Sequence, residues 1–171
     1  MKKITYIQLR AARQILNIGV RELATLLKVS KSTISKAELN KTRDFFFKYN
    51  AALQDFFQKN NITFPTEFSI RFHPINNLQE NINSDNIILT KFQLKTARCI
   101  LNVSQLELSY ITGINKGHIS RAEILDNTET IKPSDKEIII KLRNFFIQHN
   151  IEFPDPFYVF YKNYIDNRII A

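Results

Sequence analysis

One cysteine, one methionine, three glycines and no tryptophan among 171 residues leave this sequence short of the material that several chemistries require. Cys99 stands alone, so no intramolecular disulfide can form, and a reducing compartment is the natural setting. His73, His118 and His149 have neither a second cysteine nor a ligand-like spacing among them, so no metal site is expected. Nothing resembles a phosphate-cradling glycine loop, for which three glycines leave little material, and no nucleophile stands in a pattern with a base. Cys99 reads as a packed thiol. The chain is therefore expected not to be an enzyme and to need no cofactor. Long apolar runs are missing too, which speaks against a membrane span, and the opening MKKITYIQLRAARQ is broken by Arg10 and Arg13 where a secretory signal stays apolar. A cytoplasmic protein is expected.

Acidic residues are the other shortage: 16 Asp and Glu stand against 24 Lys and Arg, for a formal charge of +8. The excess is uneven. Residues 1–60 carry +8, residues 61–89 carry −2 and residues 90–171 carry +2. Such a balance favours a polyanionic partner such as nucleic acid or an anionic membrane surface, and assigns most of the attraction to the first third.

What the chain does contain is a repeat. TYIQLRAARQILNIGVRELATLLKVSKSTISKAE, from Thr5, lies without a gap over TKFQLKTARCILNVSQLELSYITGINKGHISRAE, from Thr90, at an offset of 85. The match resumes at an offset of 89, with LQDFFQKNNITFP over LRNFFIQHNIEFP. Two units follow, at 1–73 and 90–171, joined by an Asn-rich linker at 74–89.

Within each unit the apolar residues recur at helical spacing: Ile7, Leu9, Ala12, Ile15 and Leu16, then Val20, Leu23, Ala24 and Leu27, then Ile34 and Ala37. Thr5, Thr90, Ser104, Ser30 and Asn115 stand where helix N-caps belong. Longer helices are expected over about 43–60 and 134–150, the second entered by Pro133. ITFPTEFSIRF and IEFPDPFYVFY then alternate around a Pro-containing turn, as hairpins do. Short helices separated by about three residues need a small residue such as Ala24 at their crossing, and Val29 and Ile34 behind the turn. The turn favours positive φ, which Gly113 adopts freely and Lys28 only with roughly 1 kcal/mol of strain. Phe45, Phe46 and Phe47 cannot all face one core, so at least one is expected to pack against the other unit or a second chain.

Each copy resembles the helix-turn-helix domain of the phage Cro and CI repressor type, the XRE-like regulators, over about four fifths of the chain. The resemblance implies a mainly α fold: two tandem lambda-repressor-like helix-turn-helix domains, each followed by a short β-hairpin. It also implies a bacterial, sequence-specific transcriptional regulator whose recognition helices, 30–38 and 115–123, enter the major groove of double-stranded DNA. The family's structural ion pair falls on Arg13 with Glu38 and on Arg98 with Glu123. Base- and phosphate-facing positions fall on Ser30, Lys31, Ser32, Thr33, Ser35 and Lys36, with Lys41, Thr42 and Arg43 in the loop that follows. In the second copy they fall on Asn115, Lys116, Gly117, His118, Ser120 and Arg121, with Gln105 where the family binds phosphate.

The copies differ where it matters. Val20 cannot donate as Gln105 can, Ser109 and Thr112 replace residues of the packed turn, and LDNTETIK carries Asp126 and Glu129 where LNKTR is basic. Both units reading DNA, as a homodimer or as a pseudo-dimer with half-sites roughly 34 Å apart, is one expectation. The alternative is an antitoxin-like or adaptor protein-interaction module in which only the first unit binds DNA. Alternation at Phe68, Ile70 and Phe72, and at Phe157, Val159 and Tyr161, implies strands that pair between units or chains.

Overall fold

The computed structural model describes residues 3–75, 88–124, 126–131 and 135–162, with Arg43 described by its backbone alone. The protein is mainly helical with one small antiparallel sheet. The first half holds α1 (Tyr6–Ile15), α2 (Val20–Leu26), α3 (Lys31–Glu38), α4 (Arg43–Lys59), β1 (Ile62–Thr63) and β2 (Ser69–Phe72). The second holds α5 (Lys91–Ile100), α6 (Gln105–Thr112), α7 (Lys116–Ile124), α8 (Lys136–Gln148), β3 (Ile151–Asp155) and β4 (Tyr158–Tyr161).

Local chemistry sets these boundaries. Thr5 and Thr90 cap α1 and α5 through reciprocal boxes with Gln8 and Gln93, and Ser104 does the same for α6 with Glu107. Gly19 has no side chain to offer, so only the Glu22 half of that arrangement closes α2. The chain leaves helices through left-handed residues at matching places, Asn17 and Asn102, then Asn61 and Asn150. The longer helices are shorter than expected for this reason. α8 stops at Gln148 because His149 caps it and Asn150 turns to φ 62°. Its expected start at Pro133 and Ser134 lies outside the described residues.

The expected linker, 74–89, ends earlier than its composition implies. Residues 76–87 lie outside the described set, but Leu89 is fully buried and its carbonyl accepts from Ile131 N at 2.9 Å. The Ile88 carbonyl accepts from Arg143 at 2.8 Å, so the second unit is tied down from residue 88 onward.

The two hairpins merge into one sheet, ordered β1-β2-β4-β3. Its central pair joins Ser69 with Phe160, Ile70 with Val159 and Arg71 with Tyr158. Ile70 and Val159 are equivalent residues of the repeat, and a residue that pairs with its own equivalent must lie beside a two-fold axis. A second such contact joins Gln14 and Cys99, whose thiol donates to the Gln14 amide oxygen at 3.2 Å where α1 packs on α5. Flanking bonds obey the same symmetry: Phe72 N donates to Phe157 O and Tyr161 N to Phe68 O, each at 2.9 Å. An approximate two-fold axis therefore relates the halves.

One hydrophobic core crosses that axis, containing Leu9, Ile15, Leu53 and Phe57 from the first half and Phe92, Leu94, Phe146 and Tyr161 from the second. The Tyr161 hydroxyl donates to Glu67 O at 3.0 Å, and burial pushes its pKa up to about 12. Phe45 and Phe46 are buried in edge-to-face contact, whereas Phe47 is 89% exposed. The three phenylalanines therefore do not share one core, Phe47 standing apart from the other two.

Candidate nucleic-acid interface

In each half a short helix, a turn and a second helix stand on the outer side of the first helix. The turn between α2 and α3 passes through Lys28 at φ 54°, and that between α6 and α7 through Gly113 at φ 67°. Ala24 is buried at the α2–α3 crossing, and Ile34 and Ile119 are buried beneath α3 and α7.

A bidentate ion pair fixes each of these helices. Arg13 reaches Glu38 at 2.5 and 3.0 Å and donates a third bond to Ile18 O at 2.7 Å. Arg98 reaches Glu123 at 2.5 and 2.7 Å and donates to Val103 O at 2.8 Å. Burial is the largest single influence and disfavours the Arg98 charge, but the hydrogen bond to Glu123 and the attraction of nearby negative groups together outweigh it and raise the pKa above the ordinary arginine value. With both partners nearly enclosed, each pair acts as a fixed strut between the first and third helices.

With Ile34, Ala37 and Glu38 turned inward, α3 presents its other side. Lys31, Ser32 and Lys36 are exposed and Thr33 and Ser35 are half-buried. Ser30 caps the helix, accepting from Thr33 N at 3.1 Å, and its hydroxyl lies 2.9 Å from that of Thr33. Lys41 is exposed. Thr42 is half-buried: its hydroxyl oxygen is buried without a hydrogen-bond partner among the described residues, and the residue lines a pocket with Ile4, Tyr6, Asn40 and Phe46. The Arg43 side chain lies outside the described residues.

On α7, Asn115, Lys116 and Arg121 are exposed, and Gly117, His118 and Ser120 are half-buried. Asn115 Oδ1 accepts from Gly117 N at 2.7 Å, closing the turn into the helix. A Cβ on Gly117 would stand 3.0 Å from Asn115 Oδ1, so the missing side chain leaves room for the Asn115 turn, whereas Arg121, at 3.6 Å, would be in ordinary contact. Gln105 points elsewhere: its amide donates to Glu123 Oε2 at 3.0 Å, so it braces the ion pair and is not free at the surface.

Two features of this face carried little signal in the sequence. Arg21 and Lys28 are exposed in the first half and extend its cationic surface. Their equivalents in the second half are Leu106, which is 48% exposed, and Gly113; nearby, Tyr110 is 78% exposed where the first half has Thr25. The acidic loop is also ordered by its own side chains, with Asp126 N donating to Glu129 and Thr128 bonding to Asp126, all at 3.3 Å.

The axis places α3 and α7 symmetrically. Arg10 donates to Glu38 O at the end of α3, at 3.5 Å, and to the Cys99 and Ile100 carbonyls of α5, at 3.1 and 3.2 Å. The last turn of α3 thus lies beside the α1–α5 crossing. Its equivalent, Lys95, bonds to Asn17 at the end of α1, and burial lowers its pKa. Cys99 belongs to this crossing: burial pushes its thiol up to about 11, so it carries no thiolate at neutral pH. Among the described residues no group of His, Cys, Asp and Glu could hold a metal ion, and no helix is long and apolar enough to cross a membrane. No family model matches this sequence, and no curated protein or solved structure matches it either.

Proposed function

We propose that this chain is a sequence-specific DNA-binding transcriptional regulator, built as two tandem helix-turn-helix domains of the Cro and CI type, with α3 and α7 entering the major groove. The observation that carries the reading is the pairing of two equivalent helices about one axis. Each is locked inward by an arginine–glutamate strut and turns lysine or arginine outward. A two-fold relation between reading helices matches the two-fold character of duplex DNA, so one chain would span two half-sites without a second copy. Lys31, Ser32 and Lys36, and Lys116 and Arg121, are the side chains free to donate to guanine or phosphate.

The halves would not contribute equally. Arg21, Lys28 and Lys41 surround α3 with further positive charge, while α7 has Leu106, Tyr110, Asp126 and Glu129 around it. A second reading, in which only the first half binds DNA and the second docks a protein, draws on those same residues and on the engaged Gln105 amide.

Selection of binding sites from random duplex DNA separates the readings. Two unlike half-sites in fixed spacing, with Lys31→Ala/Lys36→Ala abolishing enrichment of one and Lys116→Ala/Arg121→Ala the other, is the expected result. A single half-site unaffected by Lys116→Ala/Arg121→Ala would leave the adaptor reading standing. No enrichment at all would remove both.

A further inference from the structure

The first half carries an open apolar groove of about 460 Å³ between the last turn of α2 and α4, walled by Leu26, Leu27, Tyr49, Ala52 and Phe56. The repeat explains why it is open. Ala52 is equivalent to Lys141 in the second half, whose ammonium lies 3.5 Å from where a Cβ on Gly113 would stand and so extends over the corresponding turn. Lys28, on the rim of the first-half groove, has no ion-pair partner among the described residues, whereas Lys59 pairs with Asp55 at 2.7 Å.

The second half carries the complementary shape. Leu106 and Tyr110 stand one turn apart on one side of α6, 48% and 78% exposed, where the first half has Arg21 and Thr25. Anchors at this spacing on a helix are what an apolar groove accepts. Glu107 lies between them in sequence, and with one oxygen accepting from Ser104 N at the cap its carboxylate still has a second oxygen suited to Lys28.

We propose that the groove docks α6 of a second copy of this chain, Leu106 and Tyr110 entering between α2 and α4 with Glu107 beside Lys28. Charge selects this occupant. Two first halves, at +8 each over residues 1–60, repel one another, whereas residues 90–171 carry only +2 and an acidic loop. Within one chain Leu106 and Tyr110 are exposed while the groove stands open, so the contact is between copies. It is heterologous, one half against the unlike half, and can repeat head to tail. This docking does not depend on DNA binding.

Sedimentation equilibrium without DNA tests it, using A52K for the groove and L106R/Y110T for the helix. Each substitution installs the residue that already stands at the equivalent place in the other half, and circular dichroism checks that each variant keeps its helices. The wild-type protein is expected to gain average mass with concentration, each variant alone to remain at the mass of one chain, and their equimolar mixture to form a one-to-one dimer and nothing larger. A wild-type protein that stays monomeric, a variant that associates as the wild type does, or a mixture that does not pair would each overturn the proposal.

Discussion

At the scale of single residues, the two arginine–glutamate struts show how much depends on satisfying a buried charge. Side-chain exposure is 9% and 4% for Arg98 and Glu123, against 11% and 10% for Arg13 and Glu38. Removing one carboxylate leaves a guanidinium enclosed and unpaired, which typically costs about 3–5 kcal/mol. Glu123→Ala also frees the Gln105 amide, so it should lower the urea midpoint more than Glu38→Ala does. Replacing both Arg98 and Glu123 by apolar residues of similar size should recover most of that loss, since no charge is then stranded. The pairing was legible because both partners recur at the same offset. The burial of the Thr42 hydroxyl and the engagement of Gln105 were not: each depends on residues distant in sequence, among them Ile4 and Tyr6 in one case and Glu123 in the other, and the local pattern names none of them.

At the scale of elements, the helix boundaries follow from short-range rules, and the repeat prints each rule twice. Threonine caps and the inward Ile–Ala–Glu of α3 and α7 were readable because they depend on residues within a turn or two. The exception is informative. Lys28 holds φ 54° where Gly113 holds 67°, and a lysine there carries left-handed strain that glycine does not. Lys28→Gly should therefore stabilise the protein by up to about 1 kcal/mol, a rise of a few degrees in Tm. Since Lys28 is exposed, the gain is not offset by lost packing. If Tm falls instead, the turn must depend on the lysine side chain. Helix α8 shows the opposite limit: the sequence reading carried it to about residue 150, but the left-handed turn at Asn150 ended it at Gln148.

At the scale of the whole molecule, the sequence announced two units and left open how they meet, because a duplicated surface can face its equivalent within one chain or in another copy. Alternation at Ile70 and Val159 pointed to strand pairing without saying whether it lay within one chain, and Gln14 and Cys99 carried no such signal. The consequence of the axis is energetic. A core continuous across the axis, and a sheet whose central pair takes one strand from each half, mean that neither half can unfold without exposing apolar surface of the other. Urea denaturation should then be a single transition, with far-ultraviolet circular dichroism and the near-ultraviolet tyrosine signal coincident. Ile70→Asp places an unpaired carboxylate at the fully buried centre of the sheet, beside Val159. It should lower the midpoint of that one transition for both probes together. Two separated transitions, with the second half melting as in the wild type, would mean that the halves fold as independent bodies. In that event the fixed relation between α3 and α7, on which reading two half-sites with one chain depends, would have no structural basis.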